Sequence, residues 1–240
     1  MKNFKIKDAQ YNVSEIRKTH YRQLGQNAVT RLKKKGFQAA YFDDLMSAKR
    51  HLLSLIADGS TVGVGDSHTI YAMDIDDDLS AKKCRAIPNI AALNLHGYHS
   101  DSYGYIKADT REEARQLLAE YLTSNVFILG ANAITMQGEI INVDGVGNRV
   151  AGMCYGADRI IVVAGVNKIV PDEESGRKRV HFHAAPMDNI KYGDECASTA
   201  TGICPGCNRD ERICNITTIV HRKPIESDFH VVLIGEELGF

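Results

Sequence analysis

Short apolar runs alternate with longer amphipathic stretches through most of this 240-residue chain. Runs of this kind suit strands covered on both faces, and the stretches between them repeat apolar residues at helical spacing. That alternation predicts an α/β fold, a mostly parallel sheet flanked by helices. The predicted strands are Phe37–Phe42, Thr61–Gly65, Val126–Gly130 and Arg159–Val166, with Ile216–Val220 and His230–Ile234 as closing strands. Between them, Leu45–Ala57 and Arg111–Thr123 read as helices, and a third runs from about Arg149 to Gly156. Asn132–Asn142 alternates like a hairpin turning at Gln137-Gly138, and Val170-Pro171-Asp172 opens a further helical stretch. An N-terminal helical extension, residues 1–36, precedes the main domain, residues 37–240. Its helix spans Ser14 to Lys35, with Ser14 as cap, Gly36 as stop, and Ile16, Leu24, Ala28 and Leu32 on one face. Asp76-Asp77-Asp78 reads as a solvated loop. Tyr98, Tyr103 and Tyr105 with His96 and His99 form a polar-aromatic patch suited to an inserted hairpin or lid.

A chain of this length buries a large core without disulfides or metals. Lys and Arg number 29 against 30 Asp and Glu, a net charge of −1, so the basic excess of a nucleic-acid groove is missing. The cluster Arg31, Lys33, Lys34 and Lys35 reads as the polar end of a helix. No run is long and apolar enough to span a bilayer, and Met1–Gln10 lacks the apolar core of a secretory signal. The expected location is therefore the cytoplasm, where clustered cysteines point to metal or redox chemistry rather than structural bridges.

Three constellations carry chemistry. In Gly63-Val64-Gly65-Asp66-Ser67-His68-Thr69, glycines at a strand end let backbone approach a ligand, and the following helix offers free N–H groups to an anion. The simpler alternative is a tight strand–helix turn. His68 is the candidate for proton transfer. Thr69 and Ile70 occupy the places near a dinucleotide fingerprint's third glycine, and Asp74–Asp78 comes too early for its acidic residue. No nicotinamide or flavin is therefore expected in this chain alone. In Asn142-Val143-Asp144-Gly145-Val146-Gly147-Asn148-Arg149, Asp144 is a candidate base, Asn148 can donate and accept, and Arg149 can pair with a carboxylate or phosphate. Helix caps and a structural salt bridge are the alternative there. Lys168, after the next strand, supplies a nearby cation. The third constellation is Cys196, Cys204, Cys207 and Cys214, a C-x7-C-x2-C-x6-C loop over residues 196–214. Four thiolates suit zinc or an iron–sulfur cluster; Cys204 and Cys207 alone suit a redox pair; a structural role is the third possibility. Cys84 and Cys154 read as buried hydrophobes. His181 and His183, two apart on a helix, make a poor ligand pair.

These residues resemble the LUD-domain family of lactate-utilisation proteins. The resemblance rests on Val62–Ser67, Asn132–Thr135 with Asn142–Ala151, Val162–Val170, Thr201–Cys204 with Arg212–Cys214, and Ile234–Phe240. It implies a fold similar to ribose-5-phosphate isomerase, glucosamine-6-phosphate deaminase and the CoA transferases. Their glycine-rich strand ends bind phosphates or acyl-CoA, which here places ligand contacts on Gly63, Gly65, Ser67, Asp144, Gly145, Asn148, Arg149 and Lys168. Fold alone does not transfer their chemistry, and their catalytic motifs are absent. The chain looks like the short stand-alone form of the family, linked with oxidation of lactate to pyruvate within a multi-protein iron–sulfur system. The partners so implied are a small anionic ligand and iron–sulfur oxidoreductase subunits, with no nucleic acid and no membrane; a homodimer is common for proteins of this size. The alternatives are a stand-alone enzyme on a phosphorylated or CoA-linked small molecule, and a ligand-binding protein that senses metal or redox state.

Overall fold

The computed structural model describes residues 11–89 and 110–240 of the chain. The stretch that reads as a hairpin or lid, with Tyr98, Tyr103, Tyr105, His96 and His99, lies outside the described residues.

The first helix, α1 (Val13–Lys34), is capped by Asn12 rather than Ser14: the Asn12 side-chain oxygen accepts the amides of Ser14 and Glu15. It stops where Gly36 takes a left-handed φ of +89°. Only its second half buries a face, through Gly25, Ala28 and Leu32, while Ile16 is exposed. There follow β1 (Gln38–Phe42), α2 (Leu45–Ser54), β2 (Thr61–Val64), α3 (His68–Tyr71), α4 (Asp76–Ala81) and β3 (Arg85–Ile87). The acidic run Asp76–Asp78 is thus the first turn of α4 and not a loop, and negative charge there suits the helix dipole. Next come α5 (Arg111–Leu122), β4 (Val126–Gly130), β5 (Ala133–Thr135), β6 (Ile140–Asp144), α6 (Asn148–Cys154) and β7 (Arg159–Gly165). A 3₁₀ turn over Val166–Lys168 leads to β8 (Ile169–Val170) and α7 (Glu173–Arg179). A π-helical turn, Val180–Ala184, joins α7 to α8 (Ala185–Tyr192); α9 (Ala197–Thr201), β9 (Ile216–Val220) and β10 (Asp228–Ile234) complete the order.

The sheet expected from the alternation is present as six parallel strands in the order β1-β10-β7-β4-β2-β3. Its strands obey a strict period of two. Val126, Ile128, Ile161, Val163, Val232 and Ile234 face one core with Ala48, Leu52, Ile70 and Leu79 from α2, α3 and α4. Phe127, Leu129, Ile160, Val162, Phe229 and Val231 face the other core with Ala28, Leu32, Tyr121 and Met153 from α1, α5 and α6. Both faces are covered, as a parallel sheet requires. The expected hairpin is β5–β6, and it belongs to a second, four-stranded sheet ordered β8-β5-β6-β9. The two closing strands therefore part company: β10 lies inside the large sheet, between β1 and β7, and β9 edges the small one. Cys154 is exposed and not the buried hydrophobe its sequence suggests, whereas Cys84 is half-buried and packs against the core beneath α2 and α4.

Candidate functional site

Because β2, β4, β7 and β10 run parallel, the segments that leave their C-terminal ends meet along one edge of the sheet, where α/β proteins commonly bind ligands. Glycines there serve the protein's own packing. A Cβ on Gly63 would stand 2.7 Å from Phe127 and from the Tyr121 carbonyl oxygen. Gly65 makes way for the Arg149 side chain, at 3.0 Å, and Gly130 makes way for Ser67.

Charged side chains fill the space above that edge. Asp66 accepts from Lys191 Nζ at 2.7 Å, from Tyr192 at 2.6 Å and from Tyr71 at 2.9 Å. The ion pair is nearly dry, its side chains 14% and 6% exposed for Asp66 and Lys191. Burial pushes the Asp66 carboxyl up, but the Lys191 charge and the three donors outweigh it and hold the group below the usual range. Lys168 is 2% exposed, and its Nζ donates to a main-chain oxygen of Phe240. Burial, reinforced by the charges of Arg179 and Arg149, pushes it down to about 7. Arg179 donates from Nε to the Asn167 carbonyl at 2.9 Å and from Nη1 to the Asn132 carbonyl at 2.7 Å. Its Nη2 is buried without a partner among the described residues. Asp188, one helical turn before Lys191 on α8, is raised to about 6 by burial. His68 rests its ring 4.5 Å from that of Phe240, and its buried Nε2 also lacks a partner among the described residues. Burial, then the Lys191 charge, lowers its pKa, so the neutral ring prevails near pH 7.

The segment after β10 closes this edge. Asn167 clasps it, accepting from Leu238 N at 3.1 Å and donating to the Gly239 carbonyl at 3.0 Å. Four cations (Arg149, Lys168, Arg179, Lys191) thus share the region with two carboxylates, Asp66 and Asp188. A surplus of buried positive charge with two unpartnered donors is the electrostatics of an anion site.

Of the residues singled out by sequence, Lys168, His68 and Ser67 come to this edge. Arg149 comes as a structural clamp: its guanidinium donates to Asn142 Oδ1 at 2.9 Å and to the Val143 carbonyl at 2.6 Å. The Asp144 carboxylate accepts the amides of Gly145, Arg149 and Val150 at the start of α6. Gly145 lies against the backbone of Ile213, and Asn148 donates to Asn89 at 2.6 Å. Asp66, Arg179, Asp188 and Lys191 are absent from the sequence-based set. Only the i, i+3 spacing of Asp188 and Lys191 hinted at a pair.

The four loop cysteines form a separate place. Cys204 is buried, and Cys196, Cys207 and Cys214 are half-buried. All four line one cavity of about 70 Å³. Arg212 binds beside it, donating to the Cys207 and Cys214 carbonyls at 2.8 and 2.9 Å and to Cys214 Sγ at 3.2 Å. Four thiols beside a guanidinium are suitable donors for a thiolate-bound metal group. Among the described residues, however, no three His, Cys, Asp or Glu side chains stand close enough to ligate one ion.

The molecule is thus an α/β protein with a charged, cation-rich site at the C-terminal edge of a parallel sheet. Among the described residues, no helix is long and apolar enough to cross a membrane. A family model, the LUD domain, matches residues 25–234, and the chain belongs to that family. No curated protein matches the chain's sequence. Among solved structures, a DUF162 family protein from Deinococcus radiodurans is similar at 10% identity and a TM-score of 0.48, over 89% of this chain and 98% of that one. Ribose 5-phosphate isomerase from Plasmodium falciparum is similar at 16% identity and a TM-score of 0.31, over 53% and 52%. For eIF2B delta from Chaetomium thermophilum the values are 15%, 0.34, 54% and 49%. The chain spans about half the length of these last two.

Proposed function

We propose that this chain binds a small carboxylate at the sheet edge and serves hydroxy-acid utilisation, lactate being the acid with which its family is generally associated. The observation that carries the proposal is the pair of buried, unpartnered donors, Arg179 Nη2 and His68 Nε2, beside the buried Lys168. A carboxylate entering there gives those donors an acceptor and offsets the surplus charge. His68, neutral near pH 7 and carrying its proton on Nε2 in this reading, donates that N–H to the carboxylate. Iron–sulfur oxidoreductase subunits are the partners this role calls for, supported by the family's association alone.

Calorimetric titration of the full chain with lactate, pyruvate and inorganic phosphate tests the proposal. Since Lys168 sits near 7 in the free protein, an anion bound beside it recruits a proton. Affinity for lactate or pyruvate is therefore expected to fall as pH rises from 6 to 8, and to drop in His68→Gln. Binding of phosphate alone, or of none of the three, overturns it.

A further inference from the structure

The small sheet ends in β9, whose outer side carries no further strand among the described residues. In an antiparallel pair, alternate residues turn their N–H and C=O to opposite sides. On β6, the Ile141 carbonyl accepts from Asn132 N at 3.0 Å, Val143 N donates to Asn132 Oδ1 at 2.8 Å, and the Val143 carbonyl accepts from Arg149. Ile141 and Val143 thus turn away from β9, so the hydrogen bonds between the two strands join Ile140 with Val220 and Asn142 with Thr218. Thr217 and Ile219 therefore point their N–H and C=O outward, where no protein group bonds them among the described residues. Sheets usually guard such an edge with a charge, a proline or a very short strand. The far edge of this sheet does so: β8 is two residues long and runs into Pro171. β9 has neither charge nor proline. Ile216-Thr217-Thr218-Ile219-Val220 is β-branched throughout, and Ile216 and Thr217 are exposed.

We propose that β9 pairs antiparallel with β9 of a second copy of this chain, about a two-fold axis at Thr218, so that the two small sheets join into one. The strand is its own complement in that register. Thr217 exchanges both its backbone hydrogen bonds with the partner's Ile219, and Ile219 does so with the partner's Thr217. Within β9, no other antiparallel register pairs both outward residues of each copy. Thr218 faces the partner's Thr218 as the closer, non-hydrogen-bonded pair, a favourable cross-strand match. Ile216 faces the partner's Val220, so its exposed side chain extends the apolar row that the buried Val220 begins. An uncharged strand meets its copy without repulsion. Five paired residues form an interface below the ~1,200 Å² of a tight complex, so the copies are expected to associate in the micromolar range.

The test is sedimentation velocity of the full chain from about 1 to 200 μM, where a shift from one chain to two is expected. Thr217→Pro removes an outward N–H and leaves the bonds to β6, so it is expected to keep the parent's circular dichroism and to stay a single chain. Thr218→Cys places two thiols across the axis with Cα atoms about 4.5–5.5 Å apart, within disulfide reach. Mild oxidation is expected to link the copies there, the bond being mapped to position 218 by peptide mass. Thr217→Cys, opposite the partner's Ile219, is expected to stay unlinked at its own position. A chain that remains single at the highest concentration overturns the proposal. So does a dimer that survives Thr217→Pro or fails to link through position 218, because its interface then lies elsewhere.

Discussion

Two lysines at the sheet edge sit in opposite electrostatic situations, and substituting each separates them. Lys168 is 2% exposed, and its Nζ donates to a main-chain oxygen of Phe240. Its ammonium, 10.5 in the open chain, is pushed down to about 7 by burial and by Arg179 and Arg149. Between pH 7 and 10.5 the folded chain therefore holds fewer protons at this residue than the unfolded chain. The contribution of Lys168 to stability rises with pH across that window. At about 1.4 kcal/mol for each tenfold change in proton affinity, a charged Lys168 costs the folded state about 5 kcal/mol below pH 7. Lys168→Met keeps the length of the side chain and removes the charge. Urea denaturation at pH 6, 8 and 10 is expected to show it more stable than the parent by about 3–5 kcal/mol at pH 6, with the gain fading by pH 10. Lys191→Met is the opposite case, because it strands the buried Asp66 carboxylate. It is expected to destabilise by about 3–5 kcal/mol at neutral pH, less what Tyr71 and Tyr192 retain by hydrogen bonding. That ion pair's contribution persists at neutral pH and is lost only as acid protonates Asp66 through its depressed pKa. A Lys168→Met variant less stable than the parent at pH 6, or a difference that does not vary with pH, refutes the assignment of Lys168 as a buried cation whose charge costs the folded state.

Two further substitutions test the local structure. Gly63→Ala drives a methyl to 2.7 Å from the Tyr121 carbonyl and the Phe127 ring; a loss of about 1–3 kcal/mol is expected in the same denaturation assay, and an unchanged midpoint contradicts it. Asp144→Ala removes the acceptor for three α6 amides; about 1–2 kcal/mol of stability is expected to go, while lactate binding by the folded variant stays, and loss of that binding would return Asp144 to the ligand site.

Much of the fold was legible because its signals are local. β4 and β10 announce themselves as continuous apolar runs, and Gly36 stops α1 through a left-handed turn that only its neighbours specify. What failed was long-range. Nothing near Ile216 says that it pairs with Asp144 across seventy residues of chain, so the second sheet stayed hidden. The acidic run at Asp76 looked like a loop because three like charges suggest solvent. Placed in a first turn, with Lys49 reaching Asp78 at 2.7 Å, the same charges support a helix.

The candidate site divides along the same line. Glycine and Asp-Asn-Arg patterns mark places where the backbone turns tightly, and a sequence offers no means of deciding whether a ligand or the chain itself fills the space so made. Here the chain fills it: Phe127 at Gly63, Arg149 at Gly65, Ser67 at Gly130. Charge that stays unpaired is the more discriminating mark of a ligand site, since packing can explain a glycine but not a buried cation without an anion. That mark depends on partners brought from separate elements. Lys168 follows β7, Arg179 ends α7, and Asp188 and Lys191 ride on α8 beyond a π-helical turn. Each alone looks like an ordinary surface residue of an amphipathic stretch. Arg179 acts on Lys168, Lys168 and Lys191 act on His68, and Lys191 pairs with Asp66, so it is the register of α7 and α8 on the sheet edge that gathers this charge.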